Sequence, residues 1–329
     1  MSPAIASERA DALEALRSGD RFVLATHEHP DGDAIGSLLA LGWILRSLGK
    51  DVVVHVDAED LPLPYEYDWF DVSGVQTEVP GDIGERTVVV LDCGNAERCS
   101  LADPDSLPAP LVNIDHHHDN TAFGTVNYID SDASCTAQIV WETAAELGAT
   151  LDCQVAEALY VGLVTDTGRF MYGNTDARSH RMAAALLEAG VDHNLIYRRI
   201  YERLPDPKLR LFARGLSAVQ RPLDGALTIS FLTNGDFEET GASSDHTEGI
   251  VDFLRAVDGT RVAALVRELG ESAPGEWRVS LRSSDGTVDV SRIARDGGGG
   301  GHPPAAGFRT MMSPDELVDF LRERVSEQL

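Results

Sequence analysis

One histidine and two aspartates stand close together near the N-terminus, in the stretch THEHPDGD that begins at Thr26. His27, Asp31 and Asp33 follow a short apolar run and precede a helical pattern. The order predicts a strand, an acidic turn and a helix N-terminus, and open α/β sheets place their chemistry beyond such strand ends. Carboxylate oxygens and imidazole nitrogens suit Mg²⁺ or Mn²⁺ better than a metal that prefers thiolates.

Further candidate ligands follow two more apolar runs. Residues 87–91 and 111–114 lead directly into Asp92 and Asp115. Because the carboxyl ends of parallel strands meet at one edge of a sheet, we expect one cleft to collect a larger set of side chains. The set is His27, Asp31, Asp33, Asp92, Asp115, His116, His117 and Asp166. For any single member, a helix N-cap or an exposed loop explains the residue about equally well.

The whole set favours a metal site over these simpler explanations. Carboxylates that crowd together repel one another unless cations neutralise them. Two divalent ions that share a bridging carboxylate are the arrangement of phosphatases and nucleases. The sequence therefore points to phosphoester chemistry.

The net charge limits the partners of the chain. It has 329 residues, with 54 acidic and 27 basic side chains and a net charge of −27. Such a surface repels duplex DNA, whereas a short anionic substrate held by local arginines and metal ions is compatible. The four cysteines form no C-x-x-C pair, and no secretory signal or membrane-spanning apolar run is visible. We therefore expect a cytoplasmic protein without a membrane segment.

The elements that must position these residues are predicted by apolar runs and helical spacing. The predicted strands are residues 21–25, 52–56, 87–91, 111–114, 226–232, 261–268 and 277–282. The predicted helices are residues 7–17, 35–48, 135–147, 152–164, 177–188, 194–202, 207–219, 246–257 and 314–324. This alternation predicts an α/β fold with a mostly parallel sheet, followed by a smaller α+β domain. We place a catalytic domain over residues 1–190, a helical connector over 191–220 and the second domain over 221–329.

Taken together, these motifs resemble the DHH phosphoesterase family. The catalytic motifs are His27-x-x-x-Asp31-x-Asp33, Asp92 after a buried strand, Asp115-His116-His117-x-x-Asn120, and GLVTDTGRF from Gly162. The tail GGGHPPAAG from Gly299 is similar to the DHH-associated C-terminal domain. The resemblance covers about residues 10–311 and implies an active site in the cleft between the two domains.

The resemblance implies a role for each matching residue. One Mn²⁺ ion would be bound by His27, Asp31 and Asp92. A second would be bound by Asp33, Asp92, His116 and Asp166, so that Asp92 bridges the pair; Mg²⁺ or Co²⁺ are the alternative metals. Asp115 would orient His116, and His117 would face the scissile phosphate as a hydrogen-bond donor or general acid. The end of the substrate that lies away from the metal ions would be held by Arg282, Ser283, the turn formed by Gly299, Gly300 and Gly301, and His302.

In length and domain pair the chain resembles the nanoRNase A-type oligoribonucleases. That likeness implies an enzyme that hydrolyses short RNA to mononucleotides and removes phosphate from 3′-phosphoadenosine 5′-phosphate (pAp). The attacking water would be activated by two metal ions, and the protein would form a homodimer. A phosphodiesterase for cyclic di-AMP or linear dinucleotides is the alternative, and a non-catalytic nucleotide-binding regulator ranks below it. A RecJ-type exonuclease would need a further nucleic-acid-binding domain, and a family II pyrophosphatase would carry a basic signature in place of the glycine tail.

Overall fold

The computed structural model describes residues 3–101, 110–270 and 273–329. The chain divides into two compact units, Met1–Arg203 and Leu204–Leu329. The division falls inside the stretch that the sequence assigns to a helical connector. None of the helices in the described residues is long and apolar enough to cross a membrane.

The first unit is built on a six-stranded sheet in which every pairing is parallel. Its strands are β1 (Arg21–Ala25), β2 (Asp51–His55), β3 (Val75–Gln76), β4 (Thr87–Leu91), β5 (Leu111–Asp115) and β6 (Val126–Ile129). Every residue of β4 is buried, as expected for a strand covered on both faces. The predicted parallel α/β sheet is confirmed. The edge strands β3 and β6 were not predicted, because two and four residues give too short a pattern.

The strand order explains where the chemistry lies. The order is β3-β2-β1-β4-β5-β6, so successive strands are added on one side of β1 and then on the other. Ligands of doubly wound sheets bind at such a reversal, beyond the carboxyl ends of the two central strands. His27 follows β1 and Asp92 follows β4 at this position.

The helices of this unit are α1 (Pro3–Ser18), α2 (Gly32–Ser47), α3 (Thr136–Leu147), α4 (Cys153–Asp166), α5 (Ala177–Glu188) and α6 (His193–Tyr201). Helix α2 starts three residues earlier than predicted, because the Asp31 carboxylate caps it by accepting the N–H groups of Asp33 and Ala34. Two glycines let α2 approach α4 closely. A Cβ on Gly36 would lie 2.4 Å from the Ala158 carbonyl oxygen, and one on Gly162 would lie 2.6 Å from Asp33 Oδ1.

The second unit has a five-stranded mixed sheet of order β10-β11-β9-β8-β7, in which only β7 and β8 run parallel. Its elements are α7 (Asp206–Ser217), β7 (Leu227–Leu232), α8 (Asn234–Thr240), α9 (Ile250–Arg255), β8 (Val262–Glu268), β9 (Trp277–Ser283), α10 (Val290–Asp296), β10 (Gly300–His302), β11 (Ala305–Thr310) and α11 (Pro314–Ser326). The predicted helix over residues 246–257 is shorter in the structure, because Gly249 has φ +91° and α9 begins after it.

The glycine-rich tail is a β-hairpin and not the turn that the sequence suggested. Gly300 pairs with Gly307, Gly301 with Ala306 and His302 with Ala305. A Cβ on Gly299 would lie 2.2 Å from the Gly307 carbonyl oxygen, and Gly301 has φ +133°. These glycines allow two backbones to approach closely. The prediction missed the hairpin because glycine is depleted in strands on average.

Candidate metal centre

The centre of the site is Asp92, directly after β4. Asp92 is 2% exposed, and its backbone has φ +54°, a conformation uncommon for residues other than glycine. Strained backbone of this kind costs on the order of 1–3 kcal/mol and clusters at functional sites. The carboxylate faces the histidine that follows the neighbouring strand, with 3.8 Å between Asp92 Oδ2 and His27 Nε2.

Two groups of candidate ligands overlap at Asp92. One consists of His27, Asp31 and Asp92, and the other of Asp92, Asp115, His116 and His117. Within each group the donor atoms lie within 4.8 Å of one another. Asp166 joins from the end of α4, with its Oδ2 3.8 Å from His116 Nε2. A carboxylate shared by two donor groups is the geometry expected of a bridging ligand.

Asp33 lies beside these groups but belongs to neither of them. It is 1% exposed, and its two oxygens accept the backbone N–H groups of Thr136, at 2.6 Å, and Ala137, at 2.9 Å. These amides form the N-terminus of α3, where a negative charge is stabilised. The Thr136 hydroxyl also donates to Asp92 Oδ1 at 2.9 Å. Thr136 therefore connects the two carboxylates, and the metal-binding role of Asp33 stays a prediction.

Two groups contact Nδ1 of the His27 imidazole. The backbone oxygen of Glu28 lies 2.7 Å from it, and Nη2 of Arg98 lies 3.3 Å from it. Nε2, on the other side of the ring, faces Asp92. Metal-binding histidines are commonly oriented in this way by a carbonyl behind the ring.

The carboxylates of the site repel one another. Burial raises the pKa of Asp33 well above its usual range, and the charges of Asp92 and Asp166 add to that effect. Burial likewise raises the pKa of Asp92 and brings that of Asp166 to about 6. Divalent cations would remove this repulsion. The oxygen and imidazole donors therefore fit the metal ions that the family resemblance implies.

Asp115 orients His117 and not the imidazole of His116, which corrects the sequence-based expectation. Asp115 Oδ1 lies 2.7 Å from His117 Nδ1, and the same oxygen accepts the backbone N–H of His116 at 2.8 Å. Alternate residues of extended chain point to the same side, which brings Asp115 and His117 together. Burial alone would lower the pKa of His117, but the hydrogen bond and charge of Asp115 raise it to about 9.

Three side chains support these groups, and two of them were not predicted. Asn120, which belongs to the recognised motif, donates Nδ2 to Asp115 Oδ2. Asn174 Nδ2 lies 3.2 Å from Asp166 Oδ2 and 2.9 Å from the Ser134 carbonyl oxygen. Thr136 stands 103 residues from Asp33, so no local spacing could reveal that contact. The one available signal was the position of Thr136 at the start of a predicted helix.

The predicted substrate-binding residues lie in the second unit. Arg282 of β9 pairs with Ala305 of β11, which pairs with His302 of β10. Directly paired residues share a face, so Arg282 and His302 stand on one face of this sheet. Gly299, Gly300, Gly301 and His302 are exposed. Ser283 is 4% exposed and points to the other face, where its hydroxyl oxygen accepts the N–H of Gly286 at 3.2 Å. The structure therefore places Arg282 and His302 on one face of the sheet and Ser283 on the other.

Both halves of the chain match known family models. Residues 21–163 match the DHH family, N-terminal domain, and residues 224–329 match the DHHA1 domain. The chain is 34% identical over 323 residues to the bifunctional oligoribonuclease and PAP phosphatase NrnA of Thermus thermophilus, covering 97% of this chain and 93% of that protein. It is 28% identical to the protein of the same name from Bacillus subtilis, covering 96% and 97%.

Solved structures show the same fold. An exopolyphosphatase-related protein from Bacteroides fragilis aligns with a TM-score of 0.88 and 25% identity, over 98% of this chain and 96% of that one. The exonuclease RecJ bound to manganese aligns with a TM-score of 0.52 and 15% identity, over 98% and 94% of the two chains. These likenesses agree with the motifs around Asp92 and in the glycine-rich hairpin. The chain belongs to the DHH family and carries a DHHA1 domain after its DHH domain.

Proposed function

We propose that this chain is a metal-dependent phosphoesterase that hydrolyses short oligoribonucleotides to mononucleotides and removes phosphate from pAp. The observation that carries the proposal is the pair of donor groups that share Asp92. The substrate class follows from the printed names of the relatives, which align with nearly the whole chain.

His27, Asp31 and Asp92 would hold one metal ion, and Asp33, Asp92, His116 and Asp166 would hold the other. When bound, such ions lower the pKa of a water molecule and offset the negative charge that develops on the phosphoryl group. The manganese named with the RecJ structure supports Mn²⁺ as the first metal to test, with Mg²⁺ and Co²⁺ next. The Thr136 hydroxyl and the N-terminus of α3 keep Asp92 and Asp33 in place for this role.

His117 is the proposed hydrogen-bond donor or general acid. The hydrogen bond and charge of Asp115, with the charges of Asp92 and Asp166, raise the pKa of His117 to about 9, which favours the protonated imidazole. Its side chain is 37% exposed, whereas Asp115 is fully buried, so the imidazolium can reach a phosphate while its partner cannot. Proton donation by a positioned side chain contributes typically ~10²–10⁴-fold to a rate.

The second unit would hold the rest of the substrate. Arg282 offers a planar pair of donors that match a phosphate, and His302 stands on the same face of the sheet. The exposed backbone of Gly300 and Gly301 would let the same anion approach closely. Gly299 would act by holding the backbone in place, because its N–H already donates to the Ala294 carbonyl oxygen at 2.8 Å. Ser283 would support substrate binding indirectly, because its hydroxyl oxygen accepts the N–H of Gly286 and stabilises the turn after β9.

Several finer expectations stay predictions. They are the domain boundaries at residues 190 and 220, the homodimer, the exclusion of duplex DNA and the cytoplasmic location. Each is open to a direct experiment on the purified protein or in the cell.

The test is a side-by-side hydrolysis assay with Mn²⁺. The substrates are a labelled dinucleotide, a longer RNA, pAp, cyclic di-AMP and pyrophosphate, with Asp92→Asn protein as the control for contaminating activity. We expect fast release of mononucleotides from the dinucleotide and cleavage of pAp, both absent from the control. A preference for cyclic di-AMP would replace the proposal with a cyclic dinucleotide phosphodiesterase. Cleavage of pyrophosphate alone would refute it.

A further inference from the structure

A cavity of about 210 Å³ lies in the first unit, on the far side of α4 from the metal centre. Its lining includes Tyr160 and Val164 of α4, Arg169 and Phe170 of the following loop, and Asn194 and Tyr197 of α6. Tyr160 and Val164 stand one turn apart on α4 and so share a face. Gly162 and Asp166 lie on the opposite face of α4, toward Asp33 and His116. The helix therefore separates this cavity from the donor groups.

Two polar side chains of the cavity have no hydrogen-bond partner among the described residues. Tyr160 is 7% exposed, and its hydroxyl faces no donor or acceptor there. The carboxamide of Asn194, at the rim, is likewise unpaired in the part of the chain that the structure describes. Both side chains line the cavity, so their unpaired polar groups can bind a ligand there. Burial raises the pKa of Tyr160, so its hydroxyl remains a neutral donor.

The walls of the cavity are aromatic and its rim carries a cation. The Phe170 ring stacks on His180 with 5.1 Å between ring centroids, and Tyr197 is 39% exposed. The guanidinium of Arg169 lies 5.0 Å from the centroid of the Tyr201 ring. Arg169 makes no ion pair with a described carboxylate, although acids outnumber bases 54 to 27 in this chain. A cation held on an aromatic face without an acidic partner is available to an anion from solution.

We propose that this cavity is a second nucleotide-binding site, distinct from the metal centre. The aromatic walls take the nucleobase, Tyr160 and Asn194 bind its polar edge, and Arg169 binds the phosphate. An asparagine carboxamide matches the donor and acceptor pair on the edge of adenine. A volume of about 210 Å³ lies below the ~300–1,000 Å³ of sites for larger ligands, so one base fits and a dinucleotide does not. The choice of a mononucleotide rests on the proposed function, of which it is the product.

Binding of AMP to the full-length, chelator-treated protein tests the proposal. Without metal ions, the carboxylates around Asp92 repel a phosphate, so AMP is directed to other sites. Isothermal titration should find one AMP per chain. Tyr160→Phe and Arg169→Met should each weaken binding about tenfold, as expected for loss of one hydrogen bond or charge contact. Ribose 5-phosphate, which lacks the base, should bind at least tenfold more weakly than AMP.

Arg282→Met is the matched control, because it removes an arginine from the predicted substrate-binding residues of the second unit and leaves the cavity intact. Tyr160→Phe removes only an unpaired hydroxyl, so its melting temperature should equal or exceed that of the wild type. AMP binding that is lost in Arg282→Met and unchanged in both cavity variants would overturn the proposal, as would no binding at all. A chain that binds AMP in the cavity but hydrolyses neither RNA nor pAp would refute the proposed function and keep this site.

Discussion

Asp115 and His117 face each other with 2.7 Å between a carboxylate oxygen and Nδ1 of the imidazole. The aspartate is fully buried at the end of β5, and the imidazole is partly exposed. The His116 imidazole lies beside that of His117, with 4.6 Å between ring centroids, and its Nε2 is 3.5 Å from Asp92 and 3.8 Å from Asp166. The three consecutive residues therefore divide into a buried anchor, a candidate ligand and a candidate proton donor.

Replacing Asp115 with asparagine should impair catalysis more than substrate binding. The change removes the negative charge that keeps His117 protonated and leaves the size of the side chain unchanged. We expect kcat for pAp to fall about 10²-fold with little change in KM, as measured by steady-state kinetics. Asp119→Asn, which removes an exposed charge four residues away, is the control. Equal kcat values for the two variants would contradict the role of Asp115.

Replacing Thr136 with valine should weaken metal binding. The variant keeps the backbone N–H that binds Asp33 and loses the hydroxyl that donates to Asp92 Oδ1 at 2.9 Å. Loss of a group that orients a ligand costs about 10–100-fold in metal affinity. Titration with Mn²⁺ should show this loss for Thr136→Val, whereas Thr136→Ser, which keeps the hydroxyl, should bind like the wild type. If both variants bind Mn²⁺ equally well, the hydroxyl has no such role.

The convergence around Asp92 could be predicted from the sequence because its causes are local. Strands buried on both faces are apolar runs, so β1, β4 and β5 stood out, and a histidine or an aspartate stands at the end of each or within two residues after it. The contact between Asp33 and Thr136 could not be predicted, because it depends on how α2 and α3 pack. The contact between Asp115 and His117 could not be predicted either, because it depends on the path of the backbone after the end of β5.

The second unit was harder to predict. Helices α8 and α10 have seven residues each, too few for a clear helical period. The hairpin of β10 and β11 contains glycines that are present for close backbone approach, which no average propensity describes. The shared sheet face of Arg282 and His302 therefore became visible only in their pairing with Ala305.

The glycines of this hairpin should respond differently to alanine. A Cβ on Gly299 would lie 2.2 Å from the Gly307 carbonyl oxygen, whereas one on Gly300 would meet no atom within 4 Å. Gly299→Ala should lower the free energy of unfolding by about 1–3 kcal/mol, measured by urea denaturation. Gly300→Ala should leave stability unchanged and raise KM for dinucleotides by adding a methyl group to the exposed surface that we propose contacts the substrate. An unchanged KM in Gly300→Ala would move the substrate contact away from this glycine.

The account depends most on the claim that Asp92 unites two metal-binding groups, and Asp92→Asn tests it most directly. The chelator-treated wild type should not hydrolyse pAp, and added Mn²⁺ should restore its activity. The variant should lose about 10³-fold in rate with Mn²⁺, which corresponds to ~4 kcal/mol. Without metal it should melt at the same or a higher temperature, because the raised pKa of Asp92 means that its ionised form destabilises the fold at neutral pH. Hydrolysis of pAp at the wild-type rate by Asp92→Asn would contradict the account.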